Sequence, residues 1–305
     1  DSTPTAHALN DPVYIVEPHP PGTKLTPNGL PSFPVHYGND DSSDRKIGRD
    51  SRATFVAPAT GEYVVRVTDS HGAGAPDHAY RLLVRRPQPN FEASIQGANP
   101  TVGSGSGREI GVTIERTDGF DGEVKITAAN VPPGYTLSAP TTVEADHLEA
   151  KLSLVAAPDA KEPPAGAPPI VLTATAIIGG KAVTKKIGDL GKVTLAARPK
   201  FTVRLEPANV VVAPGSTTTA WLVLERHDFK DRLQFQVRNL PHGVYVDNLG
   251  LNGILIPPGQ TKRQVFITAR PWVQETTRPF FAVADQASPA ITVTVRRPQA
   301  IAEKE

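Results

Sequence analysis

Two stretches of the sequence share the pattern that decides the fold: IGVTIER at Ile110–Arg116 and AWLVLER at Ala220–Arg226. In both stretches apolar residues fall at every second position before a common Glu-Arg pair, which is typical of a β-strand with one buried face. The positions predicted to be buried are Ile110, Val112 and Ile114 in the first stretch and Ala220, Leu222 and Leu224 in the second. The two strands therefore have buried stripes in matching register.

The similarity extends beyond these strands over about 45 residues with a single gap. Asn99 matches Asn209 at the same offset of 110, and after the gap VPPG at 131–134 matches LPHG at 240–243. The sequence therefore predicts two copies of one module, in residues 87–198 and 199–297.

Most other apolar runs are short, rich in Val, Ile and Thr, and bounded by Pro, Gly, Asn or Asp, which favours strands and turns over helices. The predicted strands outside IGVTIER and AWLVLER include Glu62–Thr68, Tyr80–Val84, Glu123–Thr127, Ile170–Ile177, Phe201–Leu205, Leu233–Val237, Gln264–Thr268 and Ala290–Val295. Strands at this spacing predict an all-β chain of three β-sandwich domains in tandem. The first domain comprises residues 1–86, and residues 298–305 form a linker or tail.

The string VRRPQ occurs at Val84–Gln88 and again at Val295–Gln299, where the first and third domains are predicted to end. Ala197–Pro199 is a weaker version between the second and third domains. Proline removes a backbone donor and restricts the chain, so we expect a semi-rigid rod of domains.

Composition excludes several classes of function. The charge is almost balanced, with 32 Lys and Arg against 31 Asp and Glu, so the chain lacks the basic excess typical of nucleic-acid binding. No apolar run approaches the ~20 residues of a membrane-spanning helix. Cysteine is absent, which excludes disulfides and a cysteine nucleophile.

The stretch FVAPATGEYVVRVTDSHGAGAPDHAYRLLV at Phe55–Val84 resembles the C-terminal part of a bacterial pre-peptidase C-terminal (PPC-type) domain. The shared pattern is Ala-Pro-x-x-Gly-x-Tyr, an Asp-led loop with glycines, and a final Tyr-Arg-Leu strand. The two later modules resemble immunoglobulin-like or fibronectin-III-like sandwiches, which often carry (Val/Leu)-Pro-x-Gly after a strand. PPC-type domains are non-catalytic accessories of exported proteins, so the resemblance implies export to the periplasm, the cell surface or the medium.

Catalytic motifs are missing from the sequence. Gly103–Gly107 (GSGSG) has glycine where a nucleophile elbow requires serine, and neither a phosphate-binding Gly-rich motif nor His-Glu-x-x-His occurs. We therefore expect a protein that is not an enzyme.

A calcium site is one interpretation of the acidic residues in the first domain. Asp40 and Asp41 lie in an acidic turn, and Asp69 and Asp77 lie in a later glycine-rich loop. Calcium binds six to eight oxygen atoms, often from such loops. An Asp-rich turn in contact with solvent explains the same residues without any cofactor.

Two tryptophans and a tyrosine are the candidate ligand-binding residues. Trp221 falls on the face of its strand opposite to the buried stripe, where a large aromatic side chain is unusual. It could stack on a sugar, together with Trp272 and Tyr245, or pack against a neighbouring domain or loop. Trp272 lies between strands, where aromatic residues often close the end of a sandwich.

The sequence thus predicts a non-catalytic array of β-sandwiches in an exported bacterial protein. Such an array would space other domains of a longer parent protein or contact a protein or glycan surface. The alternative is a carbohydrate-binding module that uses an exposed tryptophan.

Overall fold

The computed structural model describes residues 19, 23–32, 51–57, 59–69, 72, 74–247 and 253–297. The chain divides into two compact units, Asp1–Ser70 and His71–Glu305. None of the described segments forms a helix with the length and apolar character needed to cross a bilayer.

The strands predicted at Glu62–Thr68 and Tyr80–Val84 are wrong, because neither stretch has regular secondary structure. Their apolar side chains face solvent, and Val64 is 95% exposed. A strand requires a partner for its N–H and C=O groups, and no described residue pairs with either stretch. Alternation of apolar residues is therefore not sufficient here, and a sandwich in residues 1–86 stays a prediction.

The first sandwich lies between residues 90 and 196, all of which the structure describes. Its strands are β1 (Asn90–Gln96), β2 (Thr101–Gly103), β3 (Gly107–Thr117), β4 (Val124–Ala129), β5 (Tyr135–Leu137), β6 (Thr141–Val143), β7 (Glu149–Ala156), β8 (Val171–Ile178), β9 (Lys181–Asp189) and β10 (Thr194–Ala196). One antiparallel sheet has the order β1-β3-β7-β5 and the other has the order β6-β4-β8-β9. Strands β2 and β10 form a parallel pair.

The second sandwich repeats this arrangement. Its strands are β11 (Phe201–Glu206), β12 (Asn209–Val212), β13 (Thr217–Arg226), β14 (Leu233–Arg238), β15 (Val244–Val246), β16 (Ile254–Ile256), β17 (Lys262–Ala269), β18 (Thr276–Val283) and β19 (Ile291–Val295). The order β11-β13-β17-β15 matches the first sheet of the first sandwich. The other sheet, β12-β19-β18-β14-β16, includes the parallel pair β12-β19. The chain is all-β, with tandem sandwiches of immunoglobulin-like strand order.

The two cores confirm the predicted register of the buried stripes. Val112 in β3 and Leu222 in β13 are both fully buried, as are their neighbours at every second position. Each core fills the space between the two sheets of its own sandwich. The residues that alternate with this stripe face outward, which places Trp221 on the outer surface of its sheet.

An arginine closes the same end of each sandwich. Arg116 at the end of β3 donates to the carbonyl oxygens of Gly122 (2.5 Å), Glu144 (2.8 Å) and His147 (3.0 Å). Its counterpart Arg226 donates in the same way to four carbonyl oxygens, those of Phe229, Asp231, Pro257 and Gln260. The arginine of the Glu-Arg pair shared by the two motifs thus binds loop carbonyl oxygens in both sandwiches.

Candidate interaction surfaces

The two sandwiches contact each other directly, in addition to their covalent connection. The outer surface of sheet β1-β3-β7-β5 contacts the second sandwich along the loop that follows β18. Ser153 donates its hydroxyl to the carbonyl oxygen of Ser288 at 2.6 Å, and both residues are buried. The Ala287 amide donates to the carbonyl oxygen of Gly107 at 2.9 Å. The contact therefore includes a hydrogen bond between the two backbones.

Glycine is required at position 107 for this approach. A Cβ atom there would lie 2.7 Å from the carbonyl oxygen of Ala287 and 3.0 Å from a methyl group of Val155. Both distances are shorter than ordinary contacts, so a side chain would force the sandwiches apart.

Two ion pairs join the sandwiches. Glu144, just after β6, accepts from Arg278 of β18 at 2.8 Å, and Glu109 of β3 accepts from Arg238 of β14 at 3.2 Å. Arg278 also donates to the carbonyl oxygen of Thr142. The Arg278 side chain is only 7% exposed, so its charge depends on these partners.

Asn239 connects the end of β14 to both sandwiches. It has a positive φ of 66°, and its amide nitrogen donates to Thr141 (2.9 Å) in the first sandwich and to the carbonyl oxygen of Pro279 (2.7 Å) in the second. Its counterpart Asn130 has a φ of 61° and donates to the carbonyl oxygen of Pro169 at 3.4 Å. Both sandwiches thus share this turn and its hydrogen bond to a proline carbonyl, whereas only Asn239 makes an additional contact with the other sandwich, at Thr141.

A groove of about 480 Å³ lies beside these contacts, lined by charged, polar and apolar side chains from both sandwiches. The rings of His147 and His242 meet at its edge with centroids 4.9 Å apart, and the His242 ring lies 5.0 Å from that of Trp272. The His242 amide donates to Glu144 at 2.9 Å. The groove runs along the interface between the two sandwiches.

Trp221 lies on the outer surface of sheet β11-β13-β17-β15, as the alternation predicts, and is 37% exposed. The Lys262 ammonium lies 4.7 Å from its ring centroid. Glu206 on the neighbouring strand accepts from Arg204 and Lys262. The hydrogen bond from Arg204 is the main cause that lowers the pKa of Glu206, opposed by partial desolvation.

Tyr245 shares this surface with Trp221, but the two rings are not adjacent. Trp221 pairs across to Gln264 and Tyr245 pairs across to Thr268, four residues further along β17. This spacing corresponds to roughly 13 Å along the sheet and roughly 10 Å across it. Phe266 lies between them on β17 and is 38% exposed.

Trp272 follows β17 and is not placed beside Trp221. It is 55% exposed, and one edge of its ring packs against Gly243 and His242. The structure thus places Trp221 and Tyr245 on one surface, with Tyr245 also lining the groove, and it places Trp272 beside His242 of the groove.

The predicted acidic residues give no assembled metal site in the described part of the chain. Asp40 and Asp41 lie outside the described residues, whereas Asp69 and Asp77 are exposed. The described residues contain no group of three His, Asp or Glu side chains suited to a metal ion. Calcium binding stays a prediction.

Sequence reasoning missed the interface and Phe266. The signal for Phe266 was available, because it alternates with the buried residues Val265 and Ile267 as Trp221 alternates with its neighbours. No comparable signal marks Ser153 or Glu144, since polar residues on the outer surface of a sheet ordinarily face water.

No protein-family model and no curated protein matches this chain. Among solved structures, domains 4 and 5 of the S-layer protein SbsC are 20% identical, with a TM-score of 0.25, over 42% of this chain and 65% of theirs. Fibronectin(III)-like modules of Clostridium thermocellum CbhA are 17% identical, with a TM-score of 0.22, over 70% of this chain and 97% of theirs. The tandem Ig repeats of Dlar are 14% identical, with a TM-score of 0.28, over 70% and 100%. These similarities are too weak to support any conclusion about this chain. The assignment of an immunoglobulin-like fold rests on the strand order described above.

Proposed function

We propose that the chain is a non-catalytic structural region of an exported bacterial protein. Its two immunoglobulin-like sandwiches form a stiff unit that holds other parts of a longer protein at a fixed separation or presents a surface to a partner. Export is inferred from the resemblance of Phe55–Val84 to PPC-type domains.

The observation that carries this proposal is the interface between the sandwiches. A flexible tether between independent modules requires no contacts beyond the linker, yet here two ion pairs and a backbone hydrogen bond fix the second sandwich on the first. The VRRPQ segment that precedes the first sandwich is fixed similarly, because Arg85 pairs with Asp118 and the Gln88 amide donates to Asp118 at 2.8 Å. These contacts support a role in which geometry matters.

The absence of cysteine allows a direct test of stiffness. Spin labels on Lys181→Cys in the first sandwich and Lys230→Cys in the second should give one narrow distance distribution by double electron–electron resonance. Both positions are exposed, and neither makes any of the contacts between the sandwiches described above. The charge reversals Glu109→Lys and Glu144→Lys should broaden the distribution, because each faces an arginine of the other sandwich. A broad distance distribution in the labelled chain that keeps Glu109 and Glu144 would contradict the proposal.

Carbohydrate recognition is a second candidate, favoured by the surface that carries Trp221, Phe266 and Tyr245. Aromatic rings on an open sheet can stack on sugars, and Trp221→Ala should then reduce glycan binding at least tenfold. Trp272→Ala is the matched control, since Trp272 lies elsewhere. Absence of binding across a broad glycan array would count against this candidate.

A further inference from the structure

The segment Thr26–Pro31 (TPNGLP) contains an Asn-Gly pair, Asn28 and Gly29, to which the proposed function assigns no role. The segment has no regular secondary structure, and all of its residues are exposed, with Leu30 at 73%. Glycine has no Cβ atom, so the backbone nitrogen of Gly29 is less hindered than that of any other residue type would be. Solvent therefore has access to the side-chain amide of Asn28 and to the backbone that follows it.

The Asn28 side chain folds back over this turn. Its Oδ1 atom accepts a hydrogen bond from the Leu30 amide at 3.0 Å, as in an Asx-turn. The ring that this hydrogen bond closes includes both the Cγ atom of Asn28 and the backbone nitrogen of Gly29. The hydrogen bond therefore holds these two atoms near each other, which reduces the entropy that is lost when they react.

Gly29 leaves its backbone nitrogen available for a reaction. Its φ is 77°, and a Cβ atom added there would meet no other atom within 4 Å. None of the described residues accepts a hydrogen bond from the Gly29 amide. The amide is thus not protected by a backbone partner, and no neighbouring side chain covers it on this side.

We propose that Asn28 is a site of spontaneous deamidation, with the backbone nitrogen of Gly29 as the nucleophile. A hydroxide ion from the solvent takes the Gly29 amide proton, and the nitrogen then forms a bond to Cγ of Asn28. The C–N bond of the side-chain amide breaks, and ammonia leaves with a proton from water, which produces a succinimide. Water opens the succinimide at either carbonyl and leaves aspartate or isoaspartate at position 28. The Leu30 amide stabilises the oxygen on Cγ, where negative charge develops.

The reaction changes both the charge and the length of the backbone in the first domain. The product carries a carboxylate where Asn28 has a neutral amide, and the isoaspartyl form adds one methylene group to the main chain. The inference goes beyond the proposed function and does not depend on it, because a spacer and a binding module would both deamidate at this turn.

Peptide mapping by mass spectrometry of the 305-residue chain, incubated at about pH 8, tests the proposal. Asn28 should convert at least tenfold faster than Asn130, which is also exposed but precedes a β-branched valine and donates its amide to the carbonyl oxygen of Pro169. The conversion should slow as the pH is lowered to about 6, because less of the Gly29 amide is deprotonated. Equal conversion of Asn28 and Asn130 overturns the proposal.

Two variants separate the contribution of glycine from that of the turn. Gly29→Ala should slow the conversion roughly tenfold, since a methyl group hinders the nitrogen and disfavours a φ of 77°. Leu30→Pro keeps the Asn-Gly pair but removes the donor to Oδ1, and it should slow the conversion roughly fivefold, which corresponds to about 1 kcal/mol for one hydrogen bond. A synthetic peptide of residues 25–32 should react at the rate of the Leu30→Pro chain. Conversion of Asn28 that is slower in the intact chain than in the peptide overturns the proposal, because the turn would then protect the side chain.

Discussion

Replacing Arg116 by methionine should lower the free energy of unfolding by about 3 kcal/mol, which corresponds to a fall in melting temperature of roughly 10–20 °C for a sandwich of this size. The guanidinium binds the carbonyl oxygens of Gly122, Glu144 and His147 and lies 5.1 Å from the Phe120 ring. Methionine fills similar volume but leaves all three carbonyls without their donor. Chemical denaturation followed by the circular dichroism of the backbone measures the loss in the free energy of unfolding.

Burial lowers the pKa of Arg116, opposed by attraction to Asp146 and Asp121, and the ordinary pKa is so high that the side chain stays charged. Lysine at this position should recover only part of the stability, because one ammonium cannot reproduce the planar set of donors. Arg108→Met is the matched control, since Arg108 lies exposed on the same strand, and its effect should stay within about 0.5 kcal/mol. Equal stabilities for Arg116→Met and Arg108→Met would show that the loop carbonyls do not depend on the guanidinium.

The sequence predicted eight of the strands described in the two sandwiches, because their buried faces repeat with period two, but it did not single out β7, β9 or β18. Val112 and Leu222 could be placed in the core without any structure, and the same alternation placed Trp221 outside. The alternation led to a wrong prediction at Glu62–Thr68, where the apolar pattern is present but no described residue pairs with the backbone. Alternation reports which side chains can be buried, whereas strand formation also requires a second backbone.

The interface was not predictable by the same reasoning. Ser153 and Ser288 are separated by 135 residues, and nothing in either local sequence distinguishes them from residues that face water. Comparison of the two repeats carries more information, because it shows Glu109 and Ser153 replaced by Thr219 and Phe266. These differences become interpretable only when the structure shows which face is covered.

Replacing Glu144 by glutamine should destabilise the paired sandwiches by about 2–3 kcal/mol, because it leaves the buried guanidinium of Arg278 without its carboxylate. This value lies at or below the lower limit of the usual range of about 3–5 kcal/mol, since the Glu144 side chain keeps 23% of its surface exposed. The Nε atom of Arg278 is buried with no hydrogen-bond partner, so the remaining contacts cannot satisfy the group. The substitution should weaken the interface rather than either core. The two sandwiches should then unfold in two separate transitions instead of one.

The double variant Glu144→Gln/Arg278→Met distinguishes an unpaired buried charge from a general loss of packing. Methionine removes both the charge and the unsatisfied Nε while keeping an apolar stem, so the double variant should be more stable than Glu144→Gln alone by more than about 1 kcal/mol. Glu149→Gln is the control, because Glu149 pairs with Lys151 of its own strand and is 59% exposed. If the effects of the substitutions at positions 144 and 278 on the free energy of unfolding were simply additive, the ion pair would not couple the sandwiches. Their fixed orientation would then have to come from the backbone contact at Gly107.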